Sequence, residues 1–94
     1  MEVSPGIGKE TVGRCKAGDR NAFEKIVLYY QKRVYNFAYR MLGNREEARD
    51  LSQEIFVSVF ESIQQLRDDA KFDGWLKQIT VNHCRNRWKF LKRR

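Results

Sequence analysis

Pro5 is the only proline in the 94-residue chain. Proline removes a backbone donor and clashes with the preceding turn, so its absence beyond position 5 permits long uninterrupted helices. The apolar residues are spaced to match. From Arg20 to Leu42 they fall at Phe23, Ile26, Val27, Tyr30, Val34, Phe37, Ala38 and Met41, the three-and-four spacing that gathers side chains on one helix face. A second series, Ala48, Leu51, Ile55, Val59 and Ile63, keeps that period, and Phe56, Val57 and Phe60 widen it beyond what one core contact needs. Phe72, Leu76, Ile79 and His83 begin another, with Trp75 beside it and Trp88 and Leu91 further along. Ile26 to Tyr30 and Ile55 to Phe60 would pass for strands in isolation, but both are embedded in long helical periods.

The punctuation agrees. Lys9 to Ala17 reads as a short helix stopped by Gly18, after which Asp19 can cap the next helix by accepting its first free N–H groups. Gly43 supplies a left-handed stop. Asn44-Arg45-Glu46-Glu47 has the form of a capping box, with Glu47 reaching back. That helix should run to about Gln64, and Leu66 to Lys71 form the connection to the last one. No repeat or low-complexity tract interrupts the pattern. The expected fold is all-α, a compact bundle of three to four helices in one domain over residues 9–94. Residues 1–8, with Pro5, Gly6 and Gly8, read as a flexible leader.

Several functions are excluded early. No apolar run approaches the ~20 residues of a membrane span. The N-terminus has no apolar core of a signal peptide, which makes the cytoplasm the expected compartment. Cys15 and Cys84 stand far apart with only His83 for company, so no structural zinc site is expected. There is no Gly-rich phosphate loop, no His-Glu-x-x-His, and no nucleophile with a base and orienting partner. Cys84 and His83 are helix neighbours and point about 100° apart, too divergent to pair. No enzyme, cofactor or metal is expected.

The formal charge is +7, and all of it sits at one end. Acids and bases balance over residues 1–76, whereas the last 18 residues hold Lys77, Arg85, Arg87, Lys89, Lys92, Arg93 and Arg94 with no acid. Such an excess goes beyond what a helix C-terminus attracts through its dipole and favours a polyanionic partner. Around these bases lie Trp75, Gln78, Asn82, Asn86, Trp88 and Phe90, amides that can read base edges and rings that can stack on unpaired bases. Nucleic acid is favoured over anionic lipid, which the acids on the rest of the domain would repel. The acids Glu46, Glu47, Asp50 and Glu54 form a second patch. It is either a solvated face at a helix N-terminus or a docking surface for a basic or helical partner, and spacing alone favours the solvated face.

Three segments in order carry a resemblance. Gly18-Asp19-x-x-Ala22-Phe23 followed by Tyr39-Arg40-Met41-Leu42-Gly43-Asn44 resembles the opening of region two in bacterial extracytoplasmic-function (ECF) sigma factors. Ala48-x-Asp50-Leu51-x-Gln53-Glu54-x-Phe56 is similar to that family's polymerase-binding helix. Phe72-x-x-Trp75-Leu76-x-x-Ile79-x-x-Asn82 looks like its DNA-melting and promoter-reading helix. The resemblance spans about Lys9 to Arg94.

The resemblance implies that Asp50, Leu51, Gln53, Glu54 and Phe56 take part in docking on core RNA polymerase, at the clamp helices of its largest subunit. It implies that the last helix and the loop before it engage the minus-ten promoter element. A base of the non-template strand would leave the stack for a pocket built from Leu66, Arg67, Asp68, Asp69, Ala70 and Lys71 together with Asn82. Arg85, Asn86, Arg87, Lys89 and Lys92 would complete the DNA surface, the bases holding phosphates. Anti-sigma factors are expected partners across the family. No bond would be made or broken by this chain.

Departures from the pattern bear on which bases are read. Asp68 and Asp69 place two negative charges in the loop facing DNA, where they either accept from a cytosine amino group or turn outward. Thr80 stands where Ala is frequent, and Asn86 and Lys89 where Asp and Arg are common. ECF sigma factors carry a further helical domain that reads the minus-thirty-five element, and no segment here resembles it. The end at Lys92-Arg93-Arg94, inside a basic helix, is expected of a piece cut from a longer chain. The competing expectation is a helical regulator of double-stranded DNA that reads a major groove; a lipid or acidic-protein adaptor ranks behind it.

Overall fold

A computed structural model describes residues 7–93, so most of the leader expected over residues 1–8, and Arg94, lie outside the described residues. Four α-helices follow one another: α1 (Lys9–Lys16), α2 (Arg20–Leu42), α3 (Arg45–Ser62) and α4 (Phe72–Lys92). Two short 3-10 turns, Ile63–Gln65 and Asp69–Lys71, build the connection between α3 and α4. The expected all-α bundle is the observed one.

The helix ends follow the local chemistry. Gly18, at φ 96°, turns the chain sharply after α1 in a region that side chains rarely adopt. Asp19 Oδ1 then accepts from the backbone N–H groups of Asn21 (2.9 Å) and Ala22 (3.3 Å), opening α2. Gly43, at φ 69°, ends α2 in the left-handed conformation, and its N–H donates to the Tyr39 carbonyl. Asn44 Oδ1 accepts from the Glu47 N–H at 3.0 Å, giving one half of the expected capping box. The Glu47 carboxylate accepts from Arg87 on α4 instead. A charged, forked donor makes the stronger bond, and it outcompetes the return to the cap.

The core runs along lines of four-residue spacing. On α2 the buried residues are Ala22, Ile26, Tyr30, Val34 and Ala38. Each step of four advances about 400°, so the line drifts round the helix by about 40° per step. That drift lets α2 pack against α1, α3 and α4 in turn. On α4 the buried line is Phe72, Leu76, Thr80 and Cys84. This differs from the expected stripe, which placed Ile79 and His83 after Leu76; both are only half-buried. Thr80 is tolerated in the core because its hydroxyl donates to the Leu76 carbonyl at 2.9 Å. Met41, expected on the α2 core stripe, is exposed, while Ala22 takes a place in the core. α3 contributes Ala48, Leu51, Ile55, Phe56 and Val59. Overall extents of 42 × 32 × 20 Å make the short dimension about two helix diameters deep.

Candidate functional site

The exposed side of α3 carries the first candidate surface. Asp50, Gln53 and Glu54 face solvent, as expected of docking residues. Leu51 and Phe56 do not. Leu51 is 1% exposed and Phe56 6%, so both lie in the core behind that face, and Leu51 has no surface with which to touch a partner. Phe56 reaches only the floor of a groove between α2 and α3, walled by Phe23, Val27, Gln53, Val57 and Phe60. Val57 and Phe60 are more than half exposed, and the Phe60 ring meets Phe23 edge-on at 5.1 Å between centroids. Exposed apolar side chains collected along one groove are what protein docking surfaces present. Their signal in the sequence was the surplus width of the α3 apolar stripe.

The second candidate surface lies on α4. Helical spacing puts Gln78, Asn82, Arg85 and Lys89 within about 60° of one another around the axis, and all four are exposed. Asn86 sits at one margin of this stripe. Lys92 lies at the other margin, where its ammonium stands 4.5 Å from the centroid of the Trp88 ring, which is itself exposed. Trp75 is half-buried against Phe72, at 5.8 Å between centroids.

Arg87 does not belong to that stripe. It points to α3, where Nη1 donates to Glu47 Oε1 at 2.7 Å and Nη2 to Glu54 Oε2 at 2.6 Å. Glu47 and Glu54 are seven residues apart, two turns on one side of α3, which spaces them for a forked donor. Burial alone would lower the Arg87 pKa, but the hydrogen bonds and charges of Glu54 and Glu47 outweigh it and raise the pKa. Both amino groups of Arg87 are engaged by carboxylates, which sets it apart from the exposed bases of the stripe.

The connection is likewise engaged. Lys16 on α1 donates to the Leu66 carbonyl at 2.7 Å and to Asp69 Oδ1 at 2.8 Å. Gln64 Nε2 donates back to the Lys16 carbonyl. Asp68 Oδ1 accepts from the Ala70 N–H at 3.0 Å and caps the second 3-10 turn. Leu66 is buried, whereas Arg67, Ala70 and Lys71 are exposed. Asn82 lies ten residues along α4 from Phe72, about 15 Å of helix rise from the start of that helix. Besides the α2–α3 groove, a smaller cleft between α2 and α4 is lined by Tyr30, Arg33, Phe37, Asp73, Lys77 and Val81. There Arg33 pairs with Asp73 at 3.2 Å, and burial, followed by the Asp73 hydrogen bond and charge, raises the Tyr30 pKa.

Cys84 is fully buried and burial pushes its thiol up to about 11, only partly opposed by Arg87. A thiol so placed is protonated at neutral pH and is no nucleophile. Among the described residues no three His, Cys, Asp or Glu side chains gather as metal ligands, and no described helix is long and apolar enough to cross a membrane.

The chain thus combines four helices, an acidic and apolar face on α3 and a basic, amide-bearing stripe on α4. The chain belongs to the sigma-70 region 2 family, in the ECF class of RNA polymerase sigma factors, with the Sigma-70 region 2 profile matching residues 26–94. It is 39% identical over 74 residues to the ECF RNA polymerase sigma factor SigW of Bacillus subtilis, covering 79% of this chain and 40% of that protein. It is 43% identical over 68 residues to the ECF RNA polymerase sigma factor SigE of Mycolicibacterium smegmatis, covering 69% of this chain and 26% of that protein. The RNA polymerase sigma-H factor of Pseudomonas aeruginosa is 32% identical over 78 residues, 83% of this chain and 40% of that protein. The chain thus matches at most 40% of the length of these relatives.

Proposed function

We propose that this chain docks on core RNA polymerase through the exposed face of α3 and engages the minus-ten promoter element through α4, favouring the open, single-stranded form. The observation that carries the reading is the division of surface between the two helices. Asp50, Gln53, Glu54, Val57 and Phe60 offer an acidic and apolar face suited to a helical protein partner. Gln78, Asn82, Arg85 and Lys89 offer a stripe without an acid, suited to a strand of phosphates and bases. The names of the relatives, all RNA polymerase sigma factors, support polymerase as the partner.

On this reading Arg85, Lys89 and Lys92 neutralise phosphates and set register, which specifies nothing by itself. Asn82 both donates and accepts, so it can discriminate a base edge. A non-template base leaves the stack at a cost of a few kcal/mol, offset by contacts along α4 and the exposed part of the connection. Anti-sigma factors would compete for the α3 face. Nucleotidyl transfer belongs to the polymerase.

The test is a comparison of fluorescent oligonucleotides carrying a minus-ten non-template strand, the same strand scrambled, and the corresponding duplex. The reading expects the single strand to bind at least about tenfold tighter than the duplex, a gap of about 1.4 kcal/mol. Preference for the duplex would point instead to a regulator that reads the major groove.

A further inference from the structure

Arg87 lies in the basic segment of the chain, yet its geometry ties it to the other surface. Its side chain is 18% exposed, and its two amino groups are held by Glu47 Oε1 and Glu54 Oε2 at 2.7 and 2.6 Å. Around α4 it stands roughly 140–160° from Asn82, Arg85 and Lys89, on the side away from the strand-holding stripe. Glu54, by contrast, is 55% exposed at its side chain, with only one carboxylate oxygen taken up by Arg87. The other oxygen accepts from no described side chain.

We infer that Arg87 is a positioning residue for polymerase docking: its fork fixes the Glu54 carboxylate on the α3 face before the polymerase arrives, and it takes no part in holding DNA. This inference rests on the docking reading given above. Glu46, Glu47, Asp50 and Glu54 crowd the first turns of α3, and like charges at that spacing repel. Without a cation between them, Glu54 would sample several rotamers, and docking would have to order it at the moment of contact. Arg87 removes both costs. A lysine at the same position would present a point charge and could not bridge two carboxylates two turns apart. Because Arg87 is matched by two acids at contact distance, its charge is not available to displace counterions from a phosphate.

The experiment uses the 94-residue chain as it stands, with Arg87→Ala, Arg87→Lys, Glu54→Gln and the Arg87→Ala/Glu54→Gln double variant. Each is titrated against core polymerase and against the minus-ten single strand at several salt concentrations. Arg87→Ala should weaken polymerase binding about tenfold and Arg87→Lys by a smaller factor. In the Glu54→Gln background, Arg87→Ala should change it less than about twofold, since the group it positions has gone. Affinity for the oligonucleotide and its salt slope should stay within error. Should Arg87→Ala fail to fold, as judged by circular dichroism, the Arg87→Lys and Glu54→Gln pair carries the same cycle. A salt slope shallower by about 0.7 in Arg87→Ala, with polymerase affinity intact, would assign Arg87 to a phosphate and overturn the inference. Additive effects of Arg87→Ala and Glu54→Gln would also overturn it. Gln53→Ala separates the two levels: if it too leaves polymerase affinity unchanged, the docking reading itself is wrong.

Discussion

Lys16 and Asp69, 53 residues apart, form an ion pair at 2.8 Å that ties the connection between α3 and α4 to the end of α1. The same ammonium donates to the Leu66 carbonyl at 2.7 Å, and Gln64 donates back to the Lys16 carbonyl. The segment expected to meet DNA is therefore held at its base by α1, while Arg67, Ala70 and Lys71 remain exposed. Of the two acids in this segment, Asp69 is neutralised by Lys16 and Asp68 is turned to the Ala70 N–H. Asp69 is thus paired with a cation, whereas Asp68 is exposed and has only a neutral N–H as its partner.

Lys16→Ala should loosen this clamp. Lys16 and Asp69 are both less than a third exposed at their side chains, so the loss of charge-assisted hydrogen bonds should cost roughly 1–2 kcal/mol. Amide hydrogen exchange over residues 66–71 should accelerate, while the exchange of α2 rises only by the global loss. Unchanged exchange in the connection would show that its own turns hold it without α1.

Asn82→Ala should flatten sequence preference more than it lowers general affinity. Asn82 is exposed in the middle of the α4 stripe, and its amide is the group there best suited to discriminate a base edge. Binding to a panel of single-base variants of the minus-ten strand measures this directly: the spread of affinities should narrow by about tenfold at one position. A uniform loss over the whole panel would assign Asn82 to the backbone of the strand.

Alkaline conditions should weaken the fold through Cys84. Its ordinary pKa of 9.0 is raised by burial to about 11 in the folded chain. From about pH 9 to about pH 11 the unfolded chain gives up a proton that the folded chain keeps, so stability falls as pH rises, and below that window the contribution is constant. Thermal unfolding at about pH 8 and about pH 10 should therefore differ more in the parent chain than in Cys84→Ala, by roughly 1 kcal/mol. Equal pH dependence in the two would show that the thiol ionises without penalty in the fold.

The parts of this molecule that depend on near neighbours were legible in the sequence. Asp19, Gly43 and Asn44 each terminate or start a helix by contacts within four residues, and each does so as expected. The α4 core line departs from the expected stripe because a four-residue line drifts round a helix, so that Thr80 and Cys84, not Ile79 and His83, continue from Leu76. Side chains whose partners lie far along the chain were not legible. Nothing local marks Arg87, inside a basic run, as the partner of Glu47 and Glu54, forty and thirty-three residues away. Lys16 drew no attention for the same reason. Leu51 and Phe56 carry the family pattern yet lie in the core, because a motif records which residues a surface needs and not which of them touch the partner.

On the proposed function two unlike surfaces, on α3 and on α4, bind two unlike partners. The most direct test is a crossed titration of Gln53→Ala and of the Arg85→Ala/Lys89→Ala pair against core polymerase and against the minus-ten single strand. Gln53→Ala should lose affinity for polymerase and keep the strand, while the Arg85→Ala/Lys89→Ala pair should lose the strand and keep polymerase. Both variants losing both partners in equal measure, or neither variant losing either, would contradict it.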